Sequence, residues 1–320
     1  MMAFVISGNR HEFRDDAPLP IRRAGEAFIK VTVAGICTSD LELLKGDSDF
    51  YGIPGHEFTG VVEDADDAKV IGKRVVAEVH ASCGHCQLCR MGLWRHCRSR
   101  TSIGMHKRDG AFAEYLVIPQ VNLHLLPDDM SDETAVFVEP TSTVYAILDH
   151  VSPKPADRCV VVGDDALALI TARVMSTRCS AVMVGHNSAR VDTARALGIT
   201  AALDAKFDER DFDIAVEATG VADAVMTSLA MLRPAGTLVL KATVPGLTPL
   251  PLWKIANNEI TVIGSRCGPF LPAIEALHRG IVNVAPLITA RFSLDNVCDA
   301  LAKAAEPDTL KVLLYPAGLP

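Results

Sequence analysis

Four cysteines crowd into one short stretch, Cys83-Gly-His-Cys86-Gln-Leu-Cys89, followed by seven residues and Cys97. Two residues between thiols let one turn present both sulfurs to a single ion. Four thiolates complete a tetrahedron, a shell that suits Zn²⁺ without redox chemistry. A closed four-sulfur shell leaves no place for a substrate, so the ion expected here is structural. Its binding, worth on the order of 10 kcal/mol in small zinc modules, orders the loop around it. Free thiols and an iron–sulfur cluster are the competing readings. His85 and His96 read as bystanders, because four sulfurs already fill the shell. The chain has nine cysteines, an odd number with one tight cluster, which argues for metal binding over a disulfide framework.

The chain of 320 residues has room for two domains at about 150 residues each. Its 49% hydrophobic and 22% charged residues exclude wholesale disorder. A net charge of −8 disfavours a nucleic-acid partner. The basic residues around the cysteine lobe, among them Arg90, Arg95, Arg98 and Arg100, read as a solvated surface that offsets thiolate charge. No apolar run is long enough for a membrane span. The opening MMAFVISGNR lacks the marks of a signal peptide, so the expectation is a soluble cytoplasmic protein.

The pattern changes near residue 140. Before it, alternating and β-branched runs such as FIKVTV, RVVAEV and FAEYLVI are broken by Gly, Pro and Asp, which predicts a mostly antiparallel β domain. After it, apolar strands recur around residues 159–162, 181–184, 213–217, 237–240 and 260–263, with helical stretches between them. That alternation predicts βαβ units and a parallel sheet. The division expected is 1–142, 143–266 and a final 267–320 that returns to the first domain.

A second constellation suggests a reactive metal. Cys37 lies in Gly35-Ile-Cys-Thr-Ser-Asp40, His56 and Glu57 in Pro54-Gly-His-Glu-Phe-Thr-Gly60, and Glu139 just before Pro140. Each alone is weak. Together thiolate, imidazole and carboxylate form an incomplete zinc set, the open arrangement used in catalysis.

The ordered series GICTSD, PGHEFTG, the four-cysteine lobe, DGAFAEYLVIP, EP and EATG resembles the zinc-dependent medium-chain dehydrogenase/reductase family, the alcohol and sorbitol dehydrogenase type. The resemblance runs along nearly the whole chain. It implies an α/β architecture: a GroES-like, β-rich catalytic domain plus a Rossmann domain with a doubly wound parallel sheet. It implies one catalytic and one structural Zn²⁺ per chain, a small alcohol or carbonyl substrate, and a homodimer or homotetramer. By the same resemblance Cys37 and His56 ligate the catalytic zinc, and Glu57 either ligates it or swings in as ligands exchange. Glu139 matches the remaining protein ligand. Asp40 accepts the second ring N–H of His56, and Ser39 stands beside the substrate oxygen and passes its proton onward. Thr219 lies near the nicotinamide side, Arg266 beside the cofactor, and Lys311 pairs with Glu57 or the pyrophosphate. Glu42, where some members carry a relay histidine, reads as a solvated helix residue.

The nucleotide loop departs from the usual fingerprint G-x-G-x-x-G/A. It reads Gly163-Asp-Asp165-Ala-Leu-Ala168, with Asp165 at the middle position where glycine normally lets the backbone approach the pyrophosphate. The expectation is that Asp165 turns outward and the cofactor still binds. A βα unit that binds no nucleotide is the competing reading, and a zinc-stabilised binding protein with weak or lost turnover is the alternative function. After the second strand, Gly185 stands where an acid would hydrogen-bond the ribose 2′-OH. His186, Asn187 and Arg190 are then available to a 2′-phosphate, which favours NADP over NAD. The run Thr237–Val244 is the expected edge strand for subunit contact.

Overall fold

The structure, a computed structural model, describes residues 1–8, 10–45, 50–244 and 246–319. It divides into two units: Met1–Glu139 with Ala273–His278 and Leu287–Pro320, and Pro140–Pro272 with Arg279–Pro286.

The first unit is organised on the strand Glu26–Ile36 (EAFIKVTVAGI). Its first half alternates, with Ala27, Ile29, Val31 and Val33 buried, as a strand with one face on a core requires. Its last residues, Ala34 to Ile36, are buried on both faces. Antiparallel partners flank it: Glu57–Ala65, Tyr115–Pro119 and Lys311–Tyr315. Among the described residues this sheet has seven strands. Phe4, Ile29, Phe112, Leu116, Ile118, Val312 and Leu314 are fully buried in its core or nearly so. At about 25 cal/mol per Å² of apolar surface, burying each large side chain contributes about 1.5–3 kcal/mol.

Register matters at one end of this sheet. Gly35 is the cross-strand partner of Glu57 on one side and of Leu313 on the other. A Cβ at position 35 would lie 2.5 Å from Glu57 Oε2, so only glycine leaves room for that carboxylate.

In the second unit, six parallel strands of the described residues are ordered Ala201–Leu203, Ser180–Gly185, Arg158–Val162, Phe212–Glu217, Leu232–Leu240, Thr261–Gly264. Numbered along the chain this is 3-2-1-4-5-6, the order of a dinucleotide-binding sheet, with its reversal beside Arg158–Val162. Val160, Phe212, Leu229 and Leu238 anchor its core. The run Thr237–Val244 is not an edge. Its residues 237–240 end the strand Leu232–Leu240, which is paired on both sides, and the edges among the described residues are Ala201–Leu203 and Thr261–Gly264. Its β-branched composition fits burial between two neighbours as well as it fits an edge. No helix among the described residues is long and apolar enough to cross a membrane.

Candidate metal centres and nucleotide loop

Cys83, Cys86, Cys89 and Cys97 bring their sulfurs together. Separations of 3.9 Å (83–89), 3.4 Å (86–89), 3.8 Å (86–97) and 3.5 Å (97–83) bracket the edge, about 3.8 Å, of a tetrahedron with Zn–S bonds near 2.3 Å. The four fit a zinc ion, and His85 and His96 stand outside the group, both exposed. The short helix Gln87–Arg90 supplies the turn that aims Cys86 and Cys89 inward. Backbone amides of His85 and Cys86 lower the Cys83 thiol to about 6, whereas burial raises Cys89 to about 11. Metal capture by this lobe would release protons from the thiols still protonated, Cys89 foremost.

The second constellation also assembles. Ligand atoms of Cys37, His56 and Glu57 all lie within 4.8 Å of one another. Cys37 precedes the helix Thr38–Leu44 as its cap, and its amide donates to Asp40 Oδ2 at 2.8 Å. That bond fixes the Asp40 side chain so that Oδ1 lies 3.3 Å from His56 Nδ1, with both residues buried. With Nδ1 turned to Asp40, Nε2 is the ring atom left for an ion. Burial opposes charge on His56, but the Asp40 carboxylate and the Cys37 sulfur outweigh it and hold the imidazole pKa well above its ordinary value. A soft thiolate, an imidazole and a carboxylate in one pocket fit a zinc ion with a position left open.

Glu57 opens the strand Glu57–Ala65 and is 1% exposed. Lys311 Nζ donates to its Oε2 at 2.5 Å and to the carbonyl of Ile36 at 3.3 Å. Of the two pairings expected for Lys311, the structure displays the one with Glu57. Burial works against the Lys311 charge, and Glu57, Cys37 and Asp40 together raise its pKa regardless. Ser39 is half-buried one residue before Asp40. Glu139, half-buried in the first turn of Val138–His150, is not brought into the Cys37–His56–Glu57 group. Glu42 is exposed and paired with Lys45 at 2.6 Å.

In the second unit the nucleotide loop follows the first strand. Gly163 has φ +137°, a left-handed conformation that a side chain would strain. Asp165 does not turn outward. It caps the helix Ala166–Ser176, accepting the amide of Ala168 at 2.8 Å. An Asp before a helix has its strongest local partner in that helix's unpaired amides. The amides of Ala166 and Leu167 belong to the same first turn, which no helical bond satisfies, and the loop still fits a pyrophosphate there.

Asp164 was not singled out by the sequence pattern. Its Oδ2 accepts the amides of His186 and Asn187, each at 2.7 Å, and its Oδ1 lies 3.2 Å from Arg190 Nη1. These are the groups expected to meet a 2′-phosphate, and a carboxylate of the chain already occupies them. Asn187 also caps the helix Ser188–Ala196 through Oδ1. The acid faces a glycine: at Gly185 a Cβ would lie 2.6 Å from Asp164 Cβ. Thr219 is exposed, its amide and hydroxyl both donating to Glu217 Oε1, and Arg266 is exposed with its carbonyl held by Lys241.

Known proteins resemble both units. The family model described as alcohol dehydrogenase GroES-like domain matches residues 23–128. That described as zinc-binding dehydrogenase matches residues 166–279. A sorbitol dehydrogenase of Halalkalibacterium halodurans is 27% identical over 97% of both chains. A Sinorhizobium meliloti protein solved with NADP is 26% identical with a TM-score of 0.90, covering 99% of this chain and 100% of that one. An Escherichia coli alcohol dehydrogenase solved with NADH is 25% identical with a TM-score of 0.91, covering 98% and 99%. The first unit is thus GroES-like and the second Rossmann-type, and the chain is an oxidoreductase belonging to the zinc-dependent medium-chain dehydrogenase/reductase family.

Proposed function

We propose that this enzyme transfers a hydride between an alcohol or polyol and a nicotinamide dinucleotide at the Cys37–His56–Glu57 site. The observation that carries the reading is the convergence of those three donors within 4.8 Å, with Asp40 behind the histidine. The sorbitol dehydrogenase likeness supports a polyol substrate.

Cys37, His56 and Glu57 would hold the reactive zinc, with Glu139 the further candidate, while the four-cysteine lobe would hold the structural one. Bound there, zinc lowers the pKa of a substrate hydroxyl, or in reverse polarises a carbonyl. The dinucleotide supplies the hydride acceptor that zinc, having no redox chemistry, lacks. Asp40 keeps His56 in the tautomer that offers Nε2. Lys311 neutralises the buried Glu57 carboxylate and holds it in one place. Ser39 takes the substrate's hydroxyl proton and passes it to solvent. A homodimer or homotetramer goes with this reading, and the exposed Leu252 and Trp253 of the second unit support a subunit contact.

The test is metal analysis with a screen of NAD and NADP reduction over aliphatic alcohols, polyols and sugars. Two zinc ions per chain and turnover are expected. His56→Ala should keep one zinc and lose turnover. One zinc in the native protein, with no turnover on any substrate class, would count against the reading.

A further inference from the structure

At the end of the second parallel strand, the family of dinucleotide-binding sheets usually places an acid that hydrogen-bonds the adenosine ribose and repels a 2′-phosphate. This chain has Gly185 there, yet a carboxylate is present. Asp164 reaches across from the loop after the first strand and fills the space that a side chain at 185 would take. It lies 2.7 Å from the amides of His186 and Asn187 and 3.2 Å from the guanidinium of Arg190. Asp164 is 13% exposed and Arg190 18%, so the cluster is largely shielded from solvent.

We propose that Asp164 is the specificity-determining residue for the cofactor and selects NAD over NADP. The inference deepens the proposed function and rests on its reading that a nicotinamide dinucleotide binds this loop. Two adjacent amides and a guanidinium form an anion site, and here one negative charge already satisfies it. A 2′-phosphate brings close to two more charges to donors that are taken. To bind, it must expel a carboxylate held by three partners or lie against its negative charge. A ribose 2′-OH has the opposite fit, because a carboxylate is an acceptor for a hydroxyl. The sequence pattern pointed the other way because it weighed Gly185, His186, Asn187 and Arg190 without Asp164. The structure moves the acid from the second strand to the first loop and leaves its charge in the same neighbourhood.

The experiment is titration of the zinc-loaded protein with NADH and NADPH, followed by calorimetry, together with kcat/KM for NAD and NADP. The native protein is expected to favour the unphosphorylated cofactor by about 100-fold, the scale set by one like-charge juxtaposition. Asp164→Asn keeps an amide-accepting oxygen and removes the charge, so the preference should shrink at least tenfold, chiefly through stronger NADPH binding. Arg190→Ala, which strips the guanidinium from the cluster and leaves the Asp164 charge, should preserve the preference for NADH. A native protein that prefers NADPH overturns the proposal, as does a ratio that Asp164→Asn leaves unmoved while both dinucleotides bind. Binding of neither dinucleotide overturns the cofactor reading itself and this proposal with it. If Asp164→Asn does not fold, the native ratio and that of Arg190→Ala still decide.

Discussion

Lys311 and Glu57 stand 254 positions apart in the chain and meet at 2.5 Å, both buried. Their strands do not pair directly: each pairs with Glu26–Ile36, and Gly35 between them carries no side chain to keep the two apart. Removing one partner of such a pair leaves the other charged in a low-dielectric site. Lys311→Met is expected to cost about 3–5 kcal/mol. Urea denaturation followed by fluorescence measures it, and a midpoint equal to the native one would mean that Glu57 finds another partner.

In the proposed reading Asp40 would act on the metal by orienting two of its ligands, His56 through Oδ1 and the backbone of Cys37 through Oδ2. Asp40→Asn should therefore weaken zinc at the Cys37–His56–Glu57 site by about 10–100-fold while the four-cysteine zinc stays bound. Competition with a chromogenic chelator resolves the two ions. Equal weakening of both, or of neither, would contradict the placement at 3.3 Å.

The four-sulfur lobe has a different signature. Cys97→Ser removes the only buried thiol of the shell, and zinc content should fall by one ion per chain with a lower Tm. Acid should release this zinc as the thiolates protonate, since ligand protons and metal compete for the same sulfurs. Metal content after dialysis across a pH series reads this directly.

Glu133 is held by Arg291 at 2.6 and 2.8 Å and accepts the hydroxyl of Tyr315. Arg291 and then Tyr315 lower its carboxyl pKa, against the effect of burial. A lowered carboxylate contributes stability at pH above its ordinary value, 4.5, and loses it as pH falls through the lower folded value. Because Arg291 is 44% exposed, solvent screening limits the gain to about 1 kcal/mol or less. Glu133→Gln should lower stability at pH 7 by that amount and flatten the decline below pH 4.5. Stability curves from pH 3 to pH 7 test both the size and the sign.

Asp165 caps the helix at which a pyrophosphate would dock. Asn caps as well as Asp, so Asp165→Asn should leave Tm unchanged and, by removing a like charge, tighten dinucleotide binding severalfold. A lower Tm with unaltered affinity would make the residue purely structural.

Features carried by near neighbours in the chain were legible from the residues alone. The spacing Cys83, Cys86, Cys89, Cys97 determines a shell because one short helix and its flanks set all four sulfurs. The alternation of strand and helix after residue 140 likewise displays the parallel sheet. Strand order was less accessible, and the run Thr237–Val244 was misplaced at the edge because β-branched residues suit interior and edge strands alike. The Lys311–Glu57 contact followed from a likeness to known sequences, not from spacing, since it depends on a third strand lying between. Asp164 and Asp165 are adjacent and chemically identical, yet one turns to the neighbouring loop and the other to its own helix. That division depends on backbone dihedrals after Gly163 and on the empty space beside Gly185, neither of which composition records.

The placement of Lys311–Tyr315 has a consequence for biosynthesis. A nascent polypeptide emerging from the ribosome exposes residue 57 long before residue 311 has been translated. Until then the buried acid has no counter-ion and the central strand lacks one neighbour. Nascent chains stalled short of position 311 should thus be poor at retaining a metal at the Cys37–His56–Glu57 site, which is completed only once the strand Lys311–Tyr315 has been made and has paired.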